Sequence, residues 1–216
     1  MADESTAQQE SQTRWASLLG NVGSAITQFA ILETHLLLLF AKALDLPPAT
    51  AAQLIQPVRN FSTTLDIIDV AVRHKLRGTQ ALSYWTSLLD YVRELSGDRN
   101  YLAHSPLIVD RSGEKAKADH KIGPSIASVL SGEAARVAPM SLEEVTQIIA
   151  DFDQATQFVM DLQFALGEPL PDRFSQPIAR RRPSRGIRLA ASRPAPPPRP
   201  PSSRPLRDKK KERGEK

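Results

Sequence analysis

The fold prediction depends most on residues 82–106, which read LSYWTSLLDYVRELSGDRNYLAHSP. Apolar residues recur there every three or four positions from Leu82 to Leu102, which is typical of one face of an α-helix. Ser105 and Pro106 end the pattern, because proline lacks a backbone donor and disfavours the helical conformation in the residue before it. This stretch therefore predicts a long helix with a cluster of polar side chains near its carboxyl end.

The same period predicts further helices on both sides. It covers residues 12–44, 49–55, 62–78 and 142–166, separated by prolines, glycines and capping residues. Ser141 and Glu144 form a capping box before the last of these. Residues 106–110 and 116–122 lack the period and are predicted to pair as a hairpin. We therefore predict an all-α fold, an up-and-down helical bundle with a short hairpin insertion.

Charge is distributed unevenly along the chain. Residues 168–216 contain 15 Lys/Arg, 5 Asp/Glu and 11 of the 17 prolines, whereas residues 1–167 contain 13 Lys/Arg and 19 Asp/Glu. The net charge of +4 thus combines an acidic body with a basic tail. We predict a flexible N-terminus over residues 1–11, the helical bundle over 12–167, and a disordered Pro/Arg/Lys-rich tail over 168–216.

The basic tail is a candidate for RNA binding through phosphate contacts, which are salt-sensitive and independent of sequence. It is equally suited to contact the acidic body, to bind an acidic protein partner, or merely to solubilise the chain. The candidate nucleic-acid-binding residues are Arg180, Arg181, Arg182, Arg185, Arg188, Lys209, Lys210 and Lys211.

Several classes of protein are disfavoured by what the sequence lacks. It has no cysteine, so disulfides and thiolate metal sites are excluded. No metal-ligand spacing, glycine-rich phosphate loop or nucleophile elbow is present, and we expect neither metal nor cofactor. The N-terminus is acidic, and the longest apolar run, residues 36–41, is too short for a membrane span. We expect a cytoplasmic protein. Asp66 and Asp69 lie one helical turn apart, and we expect both to face solvent on an amphipathic helix.

Two charged residues occupy positions where the helical pattern calls for apolar ones. Glu33 lies within the apolar stripe of the first helix, and Arg99 within that of residues 82–106. A lone buried charge is costly, so we predict a contact between Glu33 and either Arg99 or His104. The alternative is that one or both charges lie at a solvated edge of the stripe. Gly97 is predicted to mark a bend or a close helix contact.

Arg99 and His104 are separated by five residues, or about 140° around an ideal helix. They can meet through the length of the arginine side chain, through a bent helix end, or across a two-fold axis. Asn100 and His104 are four residues apart and share a face. The plainest alternative is that His104 only caps the last carbonyls of its helix.

The block Arg99-Asn100-x-x-Ala103-His104-Ser105 resembles the Arg-x4–6-His signature of HEPN domains, in its form Arg-Asn-x-x-Ala-His plus a small residue. The resemblance covers roughly residues 12–166. It includes the long first helix with its inward glutamate and a Phe-Ser-x-x-Leu-Asp entry, residues 61–66, to the next long helix. The residues just ahead of the block, Ser96 to Asp98, form helices less readily than the family pattern implies.

The resemblance implies a homodimer in which two such motifs line one cleft, and a metal-independent endoribonuclease activity. His104 would be the acid or base acting on the ribose 2′-hydroxyl, since a histidine with an ordinary pKa near 6.5 suits both tasks. Arg99 would stabilise transition-state charge, Asn100 would position a phosphate or the imidazole, and Glu33 completes the candidate set. The product would be a 2′,3′-cyclic phosphate.

The resemblance also leaves other interpretations open. Many HEPN ribonucleases belong to toxin–antitoxin or phage-defence systems, so an antitoxin is a possible partner. Other members keep the fold without the activity and serve as dimeric modules that bind nucleotides, nucleic acid or protein. A helical protein unrelated to either group remains the third interpretation.

Overall fold

The computed structural model describes residues 2–110, 119–123, 139–168 and 171–178. These residues form a helical bundle with one small hairpin, as the sequence predicts. The elements in chain order are α1 (Ala2–Ala43), α2 (Pro48–Ile55), α3 (Phe61–Lys75), α4 (Ala81–His104), β1 (Leu107–Asp110), β2 (Asp119–Ile122), α5 (Leu142–Ala165) and a 3-10 turn (Asp172–Ser175).

The longest helix, α1, forms the centre of the bundle. It packs most extensively against α5 and also contacts α2, α3 and α4. Its inner side chains recur every three or four residues, which buries one continuous stripe. The buried members of that stripe are Leu18, Ala25, Phe29, Leu32, Leu36, Leu39 and Phe40.

The first helix starts earlier than the predicted residue 12, because α1 begins at Ala2 and includes the segment that we expected to be a flexible N-terminus. Ser11 Oγ lies 3.3 Å from Nε2 of the buried His120 on β2. The ring of Trp15 meets the same imidazole edge to face, with 4.7 Å between ring centroids. These contacts attach the amino-terminal half of α1 to the hairpin.

Local sequence signals set the remaining helix ends. Pro48 occupies the first position of α2, where the missing N–H of proline costs nothing. Asn60 precedes α3, and its Oδ1 accepts a hydrogen bond of 2.9 Å from the Ser62 amide. The predicted capping box is confirmed before α5, where Ser141 and Glu144 exchange side-chain and backbone hydrogen bonds.

The predicted hairpin is confirmed, with β1 and β2 antiparallel and Leu107 opposite Ile122. The tyrosine hydroxyl of Tyr101 donates to the Ile122 carbonyl at 3.1 Å, which ties the hairpin to the end of α4. Ile122 also forms a bridge with Met140 just before α5. Residues 111–118, which join the two strands, lie outside the described residues.

The packed domain extends beyond the predicted boundary at residue 167. Residues 171–178 carry the 3-10 turn, in which Phe174 is 1% exposed. Its ring packs edge to face on Tyr84 of α4, with centroids 4.9 Å apart. The beginning of the segment that we expected to be disordered therefore belongs to the bundle.

Residues Gln9–Ala43 of α1 are long and apolar enough to cross a membrane by length and composition alone. Core helices of bundles have the same character. The inner stripe of α1 is covered by the other helices of the bundle.

Candidate functional site

A cleft of about 670 Å³ opens between α1, α3, α4 and the segment that joins α2 to α3. Its volume falls within the range of about 300–1,000 Å³ that is usual for small-ligand sites. Part of its wall is apolar, from Leu36, Leu37, Ile55, Val58 and Phe61. The polar part includes Glu33, Gln56, Arg59, Asn60, Ser62, Thr64, Ser96, Arg99 and Asn100.

Glu33 lies in this cleft because its position belongs to the inner stripe of α1. The side chain is half-buried. Burial raises the pKa of the Glu33 carboxyl, since a low-dielectric surrounding disfavours the charged form, and the positive charge of Arg99 partly offsets that rise. Among the described residues, Glu33 and Arg99 form no ion pair within 4.0 Å. Their charges interact electrostatically across the cleft without direct contact.

Arg99 is half-buried and approaches Glu33 from α4. Its guanidinium carbon lies 5.9 Å from the centroid of the buried Phe29 ring, which is cation–π distance. Its Nη1 donates to Oδ1 of the neighbouring Asn100 at 3.1 Å. The two side chains thus present a guanidinium and an amide side by side, which is an arrangement suited to binding a phosphate.

His104 does not line this cleft. It lies in the last turn of α4, and its side chain is exposed. Arg99 and Asn100 are thus brought together with Glu33, but His104 of the same chain is left outside. The alternative contact between Glu33 and His104 is therefore not formed, and α4 continues through Gly97 as one helix.

Arg59 is a charged residue of the cleft lining that sequence reasoning missed. It is exposed and lies two residues before the start of α3, next to the Asn60 cap. The sequence feature that could have identified Arg59 is the helix-capping residue Asn60 that follows it. An arginine directly before a capped helix start stands beside unpaired backbone N–H groups, which favour anions.

Asp69 does not simply face solvent as expected, because its carboxylate is a structural acceptor. The indole Nε1 of the buried Trp85 and the Nε of Arg73 each donate to Asp69 Oδ1 at 2.7 Å. Asp66 is exposed, as predicted, and pairs with Arg93 at 2.8 Å. Neither carboxylate belongs to the cleft.

The predicted RNA-binding residues of the tail, from Arg180 to Lys211, lie outside the described residues. Within the described ranges, no three His, Asp or Glu side chains cluster in a way that would hold a metal ion.

Comparison with known proteins gives little similarity. The chain matches no protein-family model and no solved structure. One curated protein, a glutamate–tRNA ligase from Cupriavidus pinatubonensis, is 30% identical over 64 residues. That match covers 30% of this chain and only 14% of the ligase.

Proposed function

We propose that the protein is a HEPN-type, metal-independent endoribonuclease. The observation that carries the proposal is the arrangement on α4, where Arg99 and Asn100 lie side by side at a cleft and His104 is exposed one turn further on. A guanidinium, an amide and an imidazole are sufficient to bind a phosphodiester and to move its protons.

In this proposal His104 takes the proton of the ribose 2′-hydroxyl, and the resulting alkoxide attacks the adjacent phosphorus. The P–O5′ bond breaks, water supplies the proton that the leaving oxygen takes up, and His104 returns its own proton to solvent. Arg99 stabilises the additional negative charge on the phosphate oxygens, and Asn100 orients one of them. The products are a 2′,3′-cyclic phosphate and a 5′-hydroxyl end, and DNA is not cut because it lacks the nucleophile.

A homodimer completes the site in this proposal. One chain has Arg99 in the cleft lining and His104 outside it, and in this proposal a second copy supplies the imidazole that faces each guanidinium. Two-fold symmetry makes such an exchange reciprocal, since each copy gives and receives the same residue. We place the reaction in the cytoplasm, in a toxin or defence setting, with an antitoxin or an acidic protein as a further partner.

The second candidate is a HEPN-fold dimer without activity that binds nucleotides, nucleic acid or protein. The separation of His104 from the Arg99 cleft within one chain favours this alternative. The 64-residue match to a tRNA ligase covers too little of that enzyme to support either candidate.

Incubation of the purified protein with structured RNA in EDTA separates the two candidates. The ribonuclease cuts without a divalent ion, and His104→Ala and Arg99→Ala abolish cutting. Arg77→Ala is the matched control, because Arg77 is an exposed arginine outside the cleft and should leave cutting unchanged. The enzyme proposal would be contradicted if the parent protein left the RNA intact. It would also be contradicted if the His104 and Arg99 variants cut RNA as fast as the parent.

A further inference from the structure

We propose that the cleft holds one phosphodiester of a single-stranded RNA, and that Arg59 is the second cation that binds it. The choice of RNA as the ligand rests on the proposed function. The existence of an anion-binding cleft rests on the side chains that line it.

Two guanidiniums reach the cleft from different parts of the fold. Arg99 comes from α4 and is held over the Phe29 ring, whereas Arg59 comes from the segment before α3. Because separate elements supply them, the two charges stand around one cavity rather than along one helix face. A phosphate between two guanidiniums receives paired hydrogen bonds from each, which a single arginine cannot provide.

The charge of the cleft matches a phosphodiester. Its charged lining residues are Glu33, Arg59 and Arg99, which give a net charge of +1 when Glu33 is ionised. A phosphodiester carries one negative charge and neutralises this site, whereas a terminal phosphate brings close to two. Glu33 therefore favours an internal phosphate of a chain over a phosphorylated end.

The remaining lining fits the rest of a nucleotide. The half-buried Phe61 and its apolar neighbours Leu37, Ile55 and Val58 offer a wall against which a base or ribose can pack. Asn60 uses its carbonyl oxygen to cap α3, which leaves its amide N–H groups for a ligand. The volume of about 670 Å³ is ample for a nucleotide.

Binding of a short 2′-O-methyl RNA oligonucleotide to the full chain tests this inference, because the blocked 2′-oxygen separates binding from cutting. At about 0.3 M salt the contribution of the basic tail is weakened and is the same in all variants. Arg59→Ala and Arg99→Ala should each weaken binding about tenfold, in line with the loss of a charged hydrogen bond. Glu33→Gln should strengthen it, and Arg77→Ala should not change it.

The kinetic readout distinguishes binding from chemistry. In the cutting assay Arg59→Ala should raise KM and leave kcat near the parent value, whereas Arg99→Ala lowers kcat. Arg59→Lys keeps the charge and should recover part of the affinity. Because Arg59 is exposed, its replacement should leave the thermal midpoint unchanged.

The outcomes for the cleft and for the ribonuclease proposal are separable. Loss of affinity in both arginine variants supports the cleft even if no RNA is ever cut, and that result would refute only the enzyme. Affinity of Arg59→Ala equal to that of Arg77→Ala overturns the cleft inference, even if cutting depends on His104. Preferred binding of a 5′-phosphorylated mononucleotide over the oligonucleotide overturns it as well.

Discussion

Glu33 of α1 and Arg99 of α4 line one cleft, where burial raises the pKa of the carboxyl and the guanidinium partly offsets that rise. The two residues interrupt the apolar stripes of their helices at the level where those helices face each other. The bundle therefore keeps a polar opening beside its core. This relationship is the physical basis of the site that we propose.

The raised pKa of Glu33 predicts how stability changes with pH. The folded state holds the Glu33 proton more tightly than the unfolded chain, whose carboxyl has the ordinary value of 4.5. The stabilising contribution is thus fully present below that value and is lost as the pH rises through the folded-state pKa. Glu33→Gln should therefore gain stability relative to the parent between acidic and neutral pH.

Denaturant unfolding of both proteins over this pH range measures the effect. A difference in the free energy of unfolding that stays constant with pH would show that Glu33 titrates at its ordinary pKa. The companion variant Arg99→Gln should raise the pKa of Glu33 further, as followed by the carboxyl NMR signal, because the positive charge that opposes the rise is removed.

The two hydrogen bonds that Asp69 accepts should contribute differently to the free energy of unfolding. Asp69→Ala leaves the indole N–H of the fully buried Trp85 without its acceptor, and should lower the free energy of unfolding by about 1–3 kcal/mol. Arg73→Ala removes only a partly exposed ion pair and should cost less than about 1 kcal/mol. Equal costs for the two variants in urea unfolding would contradict this assignment.

Gly97 lies inside α4, and no close packing contact requires a glycine at this position. A methyl group at this position would meet no neighbouring atom within 4 Å among the described residues. The predicted close helix contact is therefore wrong, and Gly97→Ala should stabilise the protein by about 0.5–1 kcal/mol. Gly23→Ala in α1 is a matched control, since a methyl group there is equally free of neighbours and Gly23 does not line the cleft. Destabilisation at position 97 alone would indicate that α4 must bend there.

The revised end of the domain predicts the behaviour of truncated chains. A chain ending at residue 178 should be as stable as the full chain, whereas one ending at residue 167 loses the Phe174 contact with Tyr84. Phe174→Ala in the full chain should cost about 3–5 kcal/mol, which is usual for a buried phenylalanine. Thermal unfolding of the full chain, the two truncated chains and the Phe174 variant measures these differences. Equal midpoints for the two truncated chains would contradict the assignment of residues 171–178 to the bundle.

Much of the fold followed from the sequence, because helix periodicity, the Asn60 and Ser141 caps and the prolines act locally. Two boundaries did not follow. Polar residues such as Ser11 do not reveal that α1 continues to the N-terminus, since the contact of Ser11 with His120 joins positions 109 residues apart. Phe174 is an isolated apolar residue in a proline-rich segment, and only the distant Tyr84 makes its burial favourable.

The candidate site was predictable to the extent that it lies on one helix. Glu33 and Arg99 could be selected from their positions in the apolar stripes, and Asn100 from the resemblance to the HEPN signature. The structure places all three at one cleft. Spacing does not select Arg59, because its place in the cleft depends on how the segment between α2 and α3 packs in the folded chain. The position of His104 relative to Arg99 follows from helix geometry, which separates them by about 140° in one chain.

Mixing two inactive variants tests the proposed two-copy ribonuclease site most directly. Arg99→Ala chains still carry His104, and His104→Ala chains still carry Arg99, so a mixed dimer contains one intact site if the two residues come from different copies. After dissociation and reassociation in EDTA, the mixture should cut RNA at about a quarter of the parent rate, since half of the dimers are mixed and each has one of two sites. A mixture as inactive as each variant alone, beside an active parent, would contradict the shared site. An inactive parent would contradict the enzyme itself.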